Sequence, residues 1–292
     1  MMTRFSMLGL LALAACGDPA TETNDGATLR WQLEGLEPLG TGFVYEAWAI
    51  VDGSPVSTGR FSVGSDGTAS LDAFDLTADQ VAGLEAYVLS IEPEQGDDPA
   101  PSAVKLLGGD FGEDDTASLS IAHPAALGTD LTDATADFIL ETPSTSMIMD
   151  DFSLGIWFLD PAGPAASADL PTLPEGWVYE GWVVTSDGPI STGTFASGEG
   201  ADSDAGGPAA GPDDTPPFPG QDFVEPELDL VGLTAVISVE PVPDDSTAPF
   251  VLKPLIDMTI EDVGGGVLQS MENNATDTNP TGMAWLETDS EG

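Results

Sequence analysis

The chain has very little positive charge. Its 292 residues hold 51 Asp and Glu against five Lys and Arg, with one His and one Cys. Such a surface repels polyphosphate backbones and anionic headgroups, which excludes nucleic-acid binding and electrostatic attachment to a membrane. One cysteine excludes an intrachain disulfide, and one cysteine with one histidine excludes a zinc-binding cluster. Long apolar runs are missing too. The run from Phe5 to Ala15 is far shorter than the roughly 20 residues a spanning helix needs. No phosphate loop, dinucleotide fingerprint or G-x-S-x-G elbow occurs, and no segment keeps a 3.6-residue apolar period over helical length.

What is present begins with MMTRFSMLGLLALAACGDPA. Arg4, the short apolar run and Leu13-Ala14-Ala15-Cys16 form a secretory signal and resemble a bacterial lipobox, with Cys16 as the acylated residue. Residues 1–15 are expected to be removed, and 16–27 to form a lipidated, polar tether. With charge unable to hold the protein on a membrane, acyl chains must, at about 0.8 kcal/mol per buried CH₂. The 34 Gly and 24 Pro favour many turns and short strands.

Two phrases recur. YEAWAIVDGSPVSTGRF (Tyr45 to Phe61) and YEGWVVTSDGPISTGTF (Tyr179 to Phe195) share Tyr, Glu, Trp, Pro, Ser, Thr, Gly and Phe at an offset of 134. SIEPEQGDDPAPSAVKLL (Ser90 to Leu107) and SVEPVPDDSTAPFVLKPL (Ser238 to Leu255) share Glu92/Glu240, Pro93/Pro241 and Lys105/Lys253 at an offset of 148. The extra residues fall in an acidic Gly/Pro loop, 198–222. This pattern predicts an all-β chain of two tandem Ig-like sandwich domains made by internal duplication. The first spans 28–122, 123–135 is a linker, and the second spans 136–292, ending with GMAWLE (Gly282 to Glu287).

Alternation within Phe43 to Val51 puts Val44, Glu46, Trp48 and Ile50 on one face and Phe43, Tyr45, Ala47 and Ala49 on the other. Both faces are largely apolar, as in a central sandwich strand. In the second element, placing Ile91 opposite Leu106 would place Glu92 opposite Lys105, and likewise Glu240 opposite Lys253. This predicts a cross-strand ion pair in each half, worth about 0.2–1 kcal/mol if exposed.

The combined pattern resembles the C-terminal extracytoplasmic domain of anti-sigma-K factors. The residues carrying it are Tyr45, Trp48, Gly59, Phe61, Glu92 and Pro93, then Tyr179, Trp182, Gly193, Phe195, Glu240 and Pro241. The resemblance implies a β-sandwich outside the cytoplasmic membrane. In that family the domain follows a membrane-spanning helix and a sigma-binding region. Neither is expected here, so no sigma-factor partner is expected.

Catalytic readings are weak. His123 precedes a proline in the expected linker, and Ser57 and Ser191 lie in Pro-[Val/Ile]-Ser-Thr-Gly. Glu46 and Glu180 share a face with Trp48 and Trp182, where a raised carboxyl could act as an acid. Yet both recur, as scaffold residues do. Loops such as Asp202-Ser-Asp204, Asp213-Asp214 and Glu113-Asp114-Asp115 suit a structural calcium, although the EF-hand pattern fails. No other cofactor and no metal centre is expected.

The resulting expectation is a non-catalytic, lipid-anchored protein on the extracytoplasmic side of the cell envelope, facing the periplasm or the cell surface. It would serve binding, sensing or spacing, with an envelope protein as a possible partner. The alternative is a surface carbohydrate hydrolase using paired carboxylates.

Overall fold

The computed structural model describes residues 26–287 apart from 146–150, 164, 204–217 and 245. The signal segment, Cys16 and the tether up to 25 lie outside the described residues, as do Asp204, Asp213 and Asp214 of the acidic loop.

The described chain is nearly all β. The first half contributes β1 (Ala27–Glu34), β2 (Phe43–Val51), β3 (Ser54–Phe61), β4 (Ala73–Leu76), β5 (Leu84–Pro93), β6 (Lys105–Asp110) and β7 (Thr116–Ser120). Then follow β8 (Thr135–Leu140), β9 (Gly155–Trp157), β10 (Leu159–Asp160), β11 (Ala165–Ala166) and β12 (Ala168–Asp169). The second copy of the repeated phrases lies on β13 (Trp177–Thr185), β14 (Gly188–Phe195), β16 (Thr234–Pro241) and the start of β17 (Leu255–Asp257), while β15 (Gly220–Asp222) falls at the end of the segment 198–222 expected to be a loop. The chain closes with β18 (Gln269–Ser270), β19 (Glu272–Asn273) and β20 (Thr281–Glu287). Two short helices, Ala78–Ala82 and Ala275–Thr278, interrupt them.

All named strand pairs are antiparallel. The largest sheet runs β3-β2-β5-β6-β7-β20-β1-β4, and a second runs β14-β13-β16-β17-β19. A third, β12-β8-β9-β15, completes the layers, with β18 also on β8. The large sheet curls over itself. Trp31 on β1 reaches Tyr87 on β5 at 5.5 Å and Phe61 on β3 at 6.5 Å between ring centroids. The architecture is thus sandwich-like or barrel-like, as the strand pattern predicts.

Period-two alternation explains β1, where Ala27, Leu29 and Trp31 are buried and their neighbours are not. β2 differs, because Tyr45, Glu46, Ala47, Trp48 and Ala49 are all buried. It lies between β3 and β5 with both faces covered, the position its two apolar faces predict. Fully burying each of Tyr45, Tyr87, Tyr179, Phe138 and Phe158 contributes on the order of 1.5–3 kcal/mol before entropic costs. One continuous apolar cluster joins both halves, from Leu29 and Tyr45 to Tyr179, Ile237 and Ile260.

Three findings differ from the sequence reading. First, the last strand does not close the second half. β20 inserts between β1 and β7, pairing Trp31 with Ala284 and Ala117 with Ala284. Second, the 123–135 segment is not a bare connector, since Leu127, Leu131 and Ala134 are in the core. Asn273 Nδ2 donates to the Leu131 and Ala134 carbonyls at 3.0 and 2.9 Å.

Third, the proposed lysine ion pairs do not form. Leu89 pairs with Leu107, one place off the expected register, and a shift between Leu89 and Ser90 moves Lys105 one place further, opposite Ser90 instead of Glu92. Lys105 Nζ donates to the Ser102 carbonyl at 2.6 Å. In the second half β17 begins at Leu255, so Lys253 lies before the strand and has no cross-strand partner. No ion pair among the described residues includes a lysine.

Candidate functional site

The polar residues of the repeated phrases, with Trp48 and Trp182, lie on the strand face opposite Tyr45 and Tyr179, which belong to the main apolar cluster. On β2 and β5 the register sets Glu46 opposite Ser90 and Val44 opposite Glu92, so these polar groups share the face of Trp48. The Trp48 indole donates to Ser90 Oγ at 2.8 Å, and Ser90 Oγ donates in turn to Glu92. The backbone N–H of Ser102 donates to the same Glu92 oxygen at 2.8 Å. Glu92 therefore pins the far end of the loop that leaves β5 at Pro93. Ser57 Oγ donates to Glu46 at 2.5 Å.

The second half repeats each connection. Trp182 donates to Ser238 Oγ at 2.8 Å, Ser238 donates to Glu240, and the Phe250 N–H donates to Glu240 at 2.8 Å. Ser191 Oγ donates to Glu180. On the core face, Tyr45 donates to the Glu37 carbonyl at 2.9 Å and Tyr179 to the Pro171 carbonyl at 2.6 Å. Tyr45 stacks on Phe61 and Tyr179 on Phe195, at interplanar angles of 24° and 23°.

The glycines of the phrase have a local cause. A bulge shifts the β2–β3 register between Ala47 and Trp48, opposite Gly59. Gly59 has φ +129°, and a Cβ there would stand 2.5 Å from Leu71 Cδ2. Gly193, at φ +103°, serves the matching bulge between Glu180 and Trp182. Pro93 and Pro241 end β5 and β16, where a missing N–H costs the ladder nothing.

Burial decides the electrostatics. Glu92 is 1% exposed and Glu240 fully buried, with Glu46 and Glu180 nearly so. Burial pushes the Glu240 carboxyl up to about 7, against the downward pull of its bonds from Ser238 and Phe250. Glu46 is raised by burial too, opposed by Ser57 and Arg60. Burial lowers the Lys253 ammonium, while the charges of Glu37 and Glu240 partly restore it. Burial raises both Tyr45 and Tyr179 above the ordinary phenol range.

The two halves differ in one respect. In the first, Arg60 lies opposite Glu46, with Nε 3.5 Å from that carboxylate and Nη2 3.7 Å from Asp97. In the second, the residue opposite Glu180 is Thr194. Here carboxylate oxygens of Glu180, Glu240 and Asp244 all lie within 4.8 Å of one another. The sequence reading named Glu180 and Glu240 but missed Asp244 and the linking serines. Ser90 and Ser238 were visible as the first letter of the recurrent Ser-[Ile/Val]-Glu-Pro, whereas Asp244 is not matched in the first copy, where Gly96 stands.

The other sequence candidates are placed apart. Asp202 is buried and accepts the Gly220 N–H at 2.8 Å, so its carboxylate works inside the fold. Asp115 sits at φ 57° in the turn between β6 and β7. His123 lies 3.2 Å from Asp110, and Ser57 is bonded to Glu46. Among the described residues no helix is long and apolar enough to cross a membrane.

No curated protein and no solved structure matches the chain. Residues 20–104 match the family model described as anti-sigma-K factor rskA, C-terminal. That span contains the first Tyr-Glu-x-Trp phrase, the Ser90–Glu92 element and the Ser102 anchor of its loop. This part of the chain is therefore similar to the C-terminal domain of anti-sigma-K factors.

Proposed function

We propose that the protein is a non-catalytic, lipid-anchored module of the cell envelope, carrying an anti-sigma-K-like extracytoplasmic domain in two duplicated copies. It serves in binding, sensing or spacing on the outer side of the membrane. The observation that carries this reading is the matching pair of Trp–Ser–Glu connections, one within the family match and one 148 residues later at its serine and glutamate. In both, the buried carboxylate is spent on fastening its own loop, which is a scaffold role retained in duplicate. Similarity to the anti-sigma-K C-terminal domain favours an extracytoplasmic location, and Cys16 offers the anchor.

The test is metabolic labelling with palmitate, comparing the full-length protein with Cys16→Ala. Labelled protein in the membrane fraction, and unlabelled soluble protein for the variant, is the expected result. Release of unlabelled wild-type protein into the soluble fraction overturns the anchor. Sugar release from polysaccharides that vanishes in Glu46→Gln or Glu180→Gln overturns the non-catalytic reading.

A further inference from the structure

We infer that Glu180, Glu240 and Asp244 bind one divalent cation of the calcium type, which takes the place that the Arg60 guanidinium fills in the first half. The inference stands on geometry and does not depend on the lipid anchor. Three observations carry it.

The first is the internal comparison. Glu46 and Glu180 occupy matching register positions, opposite Arg60 and Thr194 respectively. In the first half the guanidinium lies between Glu46 and Asp97 and also donates to the Pro93 and Glu94 carbonyls. A positive charge surrounded by carboxylates and main-chain oxygens is thus already part of this strand arrangement. In the second half a neutral threonine stands at that register, and the carboxylates are drawn together without the arginine.

The second is an unmet oxygen. Glu240 is fully buried, and Ser238 and Phe250 both donate to its Oε1. Its Oε2 is buried with no hydrogen-bond partner. A buried carboxylate oxygen left without a donor is costly, and native structures rarely leave one without an ion or water. Lys253 is close enough for its charge to act on Glu240, yet it forms no ion pair within reach.

The third is space and spacing. A cavity of about 50 Å³ borders Glu240 and Asp244, with Glu37, Phe43, Ile91 and Phe250 among its other walls, while Glu180 stands outside its lining. A water needs about 10–15 Å³ of such space, so a coordinating water can stand beside Glu240 and Asp244. Calcium takes carboxylate oxygens at about 2.3–2.6 Å, which sets ligands on opposite sides roughly 4.6–5.2 Å apart, and magnesium at about 2.0–2.1 Å draws them closer. The carboxylate oxygens of the cluster lie within 4.8 Å of one another, inside the span that one calcium ion bridges.

The experiment is calorimetric titration of the full chain, stripped with chelator, with calcium chloride in 0.5 M NaCl to screen diffuse counter-ions. One saturable site is expected, together with a rise of several degrees in Tm. Glu240→Gln and Asp244→Asn should weaken binding at least tenfold. Asp244→Asn alters an exposed side chain and leaves the fold intact, which keeps the result interpretable. Thr194→Arg, placing the guanidinium of the first half opposite Glu180, should abolish binding while retaining the near-ultraviolet circular dichroism of the wild type. Unsaturable uptake, or saturable uptake equal in wild type and all three variants, overturns the inference.

Discussion

Ser90 is a small residue with two obligations. Its hydroxyl receives the Trp48 indole and donates to Glu92, and all three side chains are buried. Replacing it by alanine leaves an indole N–H without its acceptor and removes one of the donors that make a buried carboxylate tolerable. Each unsatisfied buried group costs about 1–3 kcal/mol. Ser90→Ala is therefore expected to lower stability by about 2–4 kcal/mol in urea unfolding, and Ser238→Ala by a similar amount, because its partners Trp182 and Glu240 are arranged alike. A loss under 0.5 kcal/mol in either half would show that the serine is not the link. A conservative-looking Ser90→Thr adds a methyl at a site with no exposure, so it tests packing separately.

At the scale of elements, the repeated phrases announced their own strands. Tyr45 to Phe61 and Tyr179 to Phe195 form hairpins because alternation and a Gly/Pro turn are local signals, and the Glu-Pro steps end β5 and β16. Two things escaped. The lysine pairs failed because counting residues across a hairpin assumes both a starting register and an unbroken ladder. Leu89 pairs with Leu107, which already turns Lys105 toward Ile91, and the bulge between Leu89 and Ser90 moves it one place further, while in the second half β17 begins only after Lys253. β20 escaped because GMAWLE states only that it is a strand with one apolar face. Which edge it joins depends on β1 and β7, more than 150 residues away. The same limit hid Asp244, whose meeting with Glu180 is made by the sheet.

Its insertion makes β20 a structural requirement for the first half. Without it the facing edges of β1 and β7 would expose unpaired N–H and C=O groups beside Trp31 and Ala117. Truncation after Asn279 is therefore expected to do more than fray the C-terminus. Amide exchange should quicken throughout β1 and β7, and the shortened chain should associate through the open edge, as read by size-exclusion chromatography. Exchange changes confined to residues close to the cut would contradict this placement.

For the whole molecule, two forces oppose each other. A formal net charge of −46 pushes the chain apart, and only four ion pairs occur among the described residues, one of them through His123. Cohesion comes from the apolar cluster, which is continuous between the halves. It is reinforced by β20 and by the Val251 N–H donating to Glu37 at 3.1 Å. A boundary crossed by a strand, core contacts and hydrogen bonds leaves neither half a complete unit, although the sequence reads as two. Unfolding is thus expected to be one transition in scanning calorimetry, with calorimetric and van't Hoff enthalpies in agreement. Salt adds a second reading of the same experiment. The Debye length falls from about 30 Å at 0.01 M to about 3 Å at 1 M, so self-repulsion is screened while apolar burial is not weakened. Tm should then rise by several degrees from low to high NaCl with the transition still single. Two resolved transitions would mean that the shared core is too weak to couple the halves, and a falling Tm would mean that ion pairs outweigh repulsion.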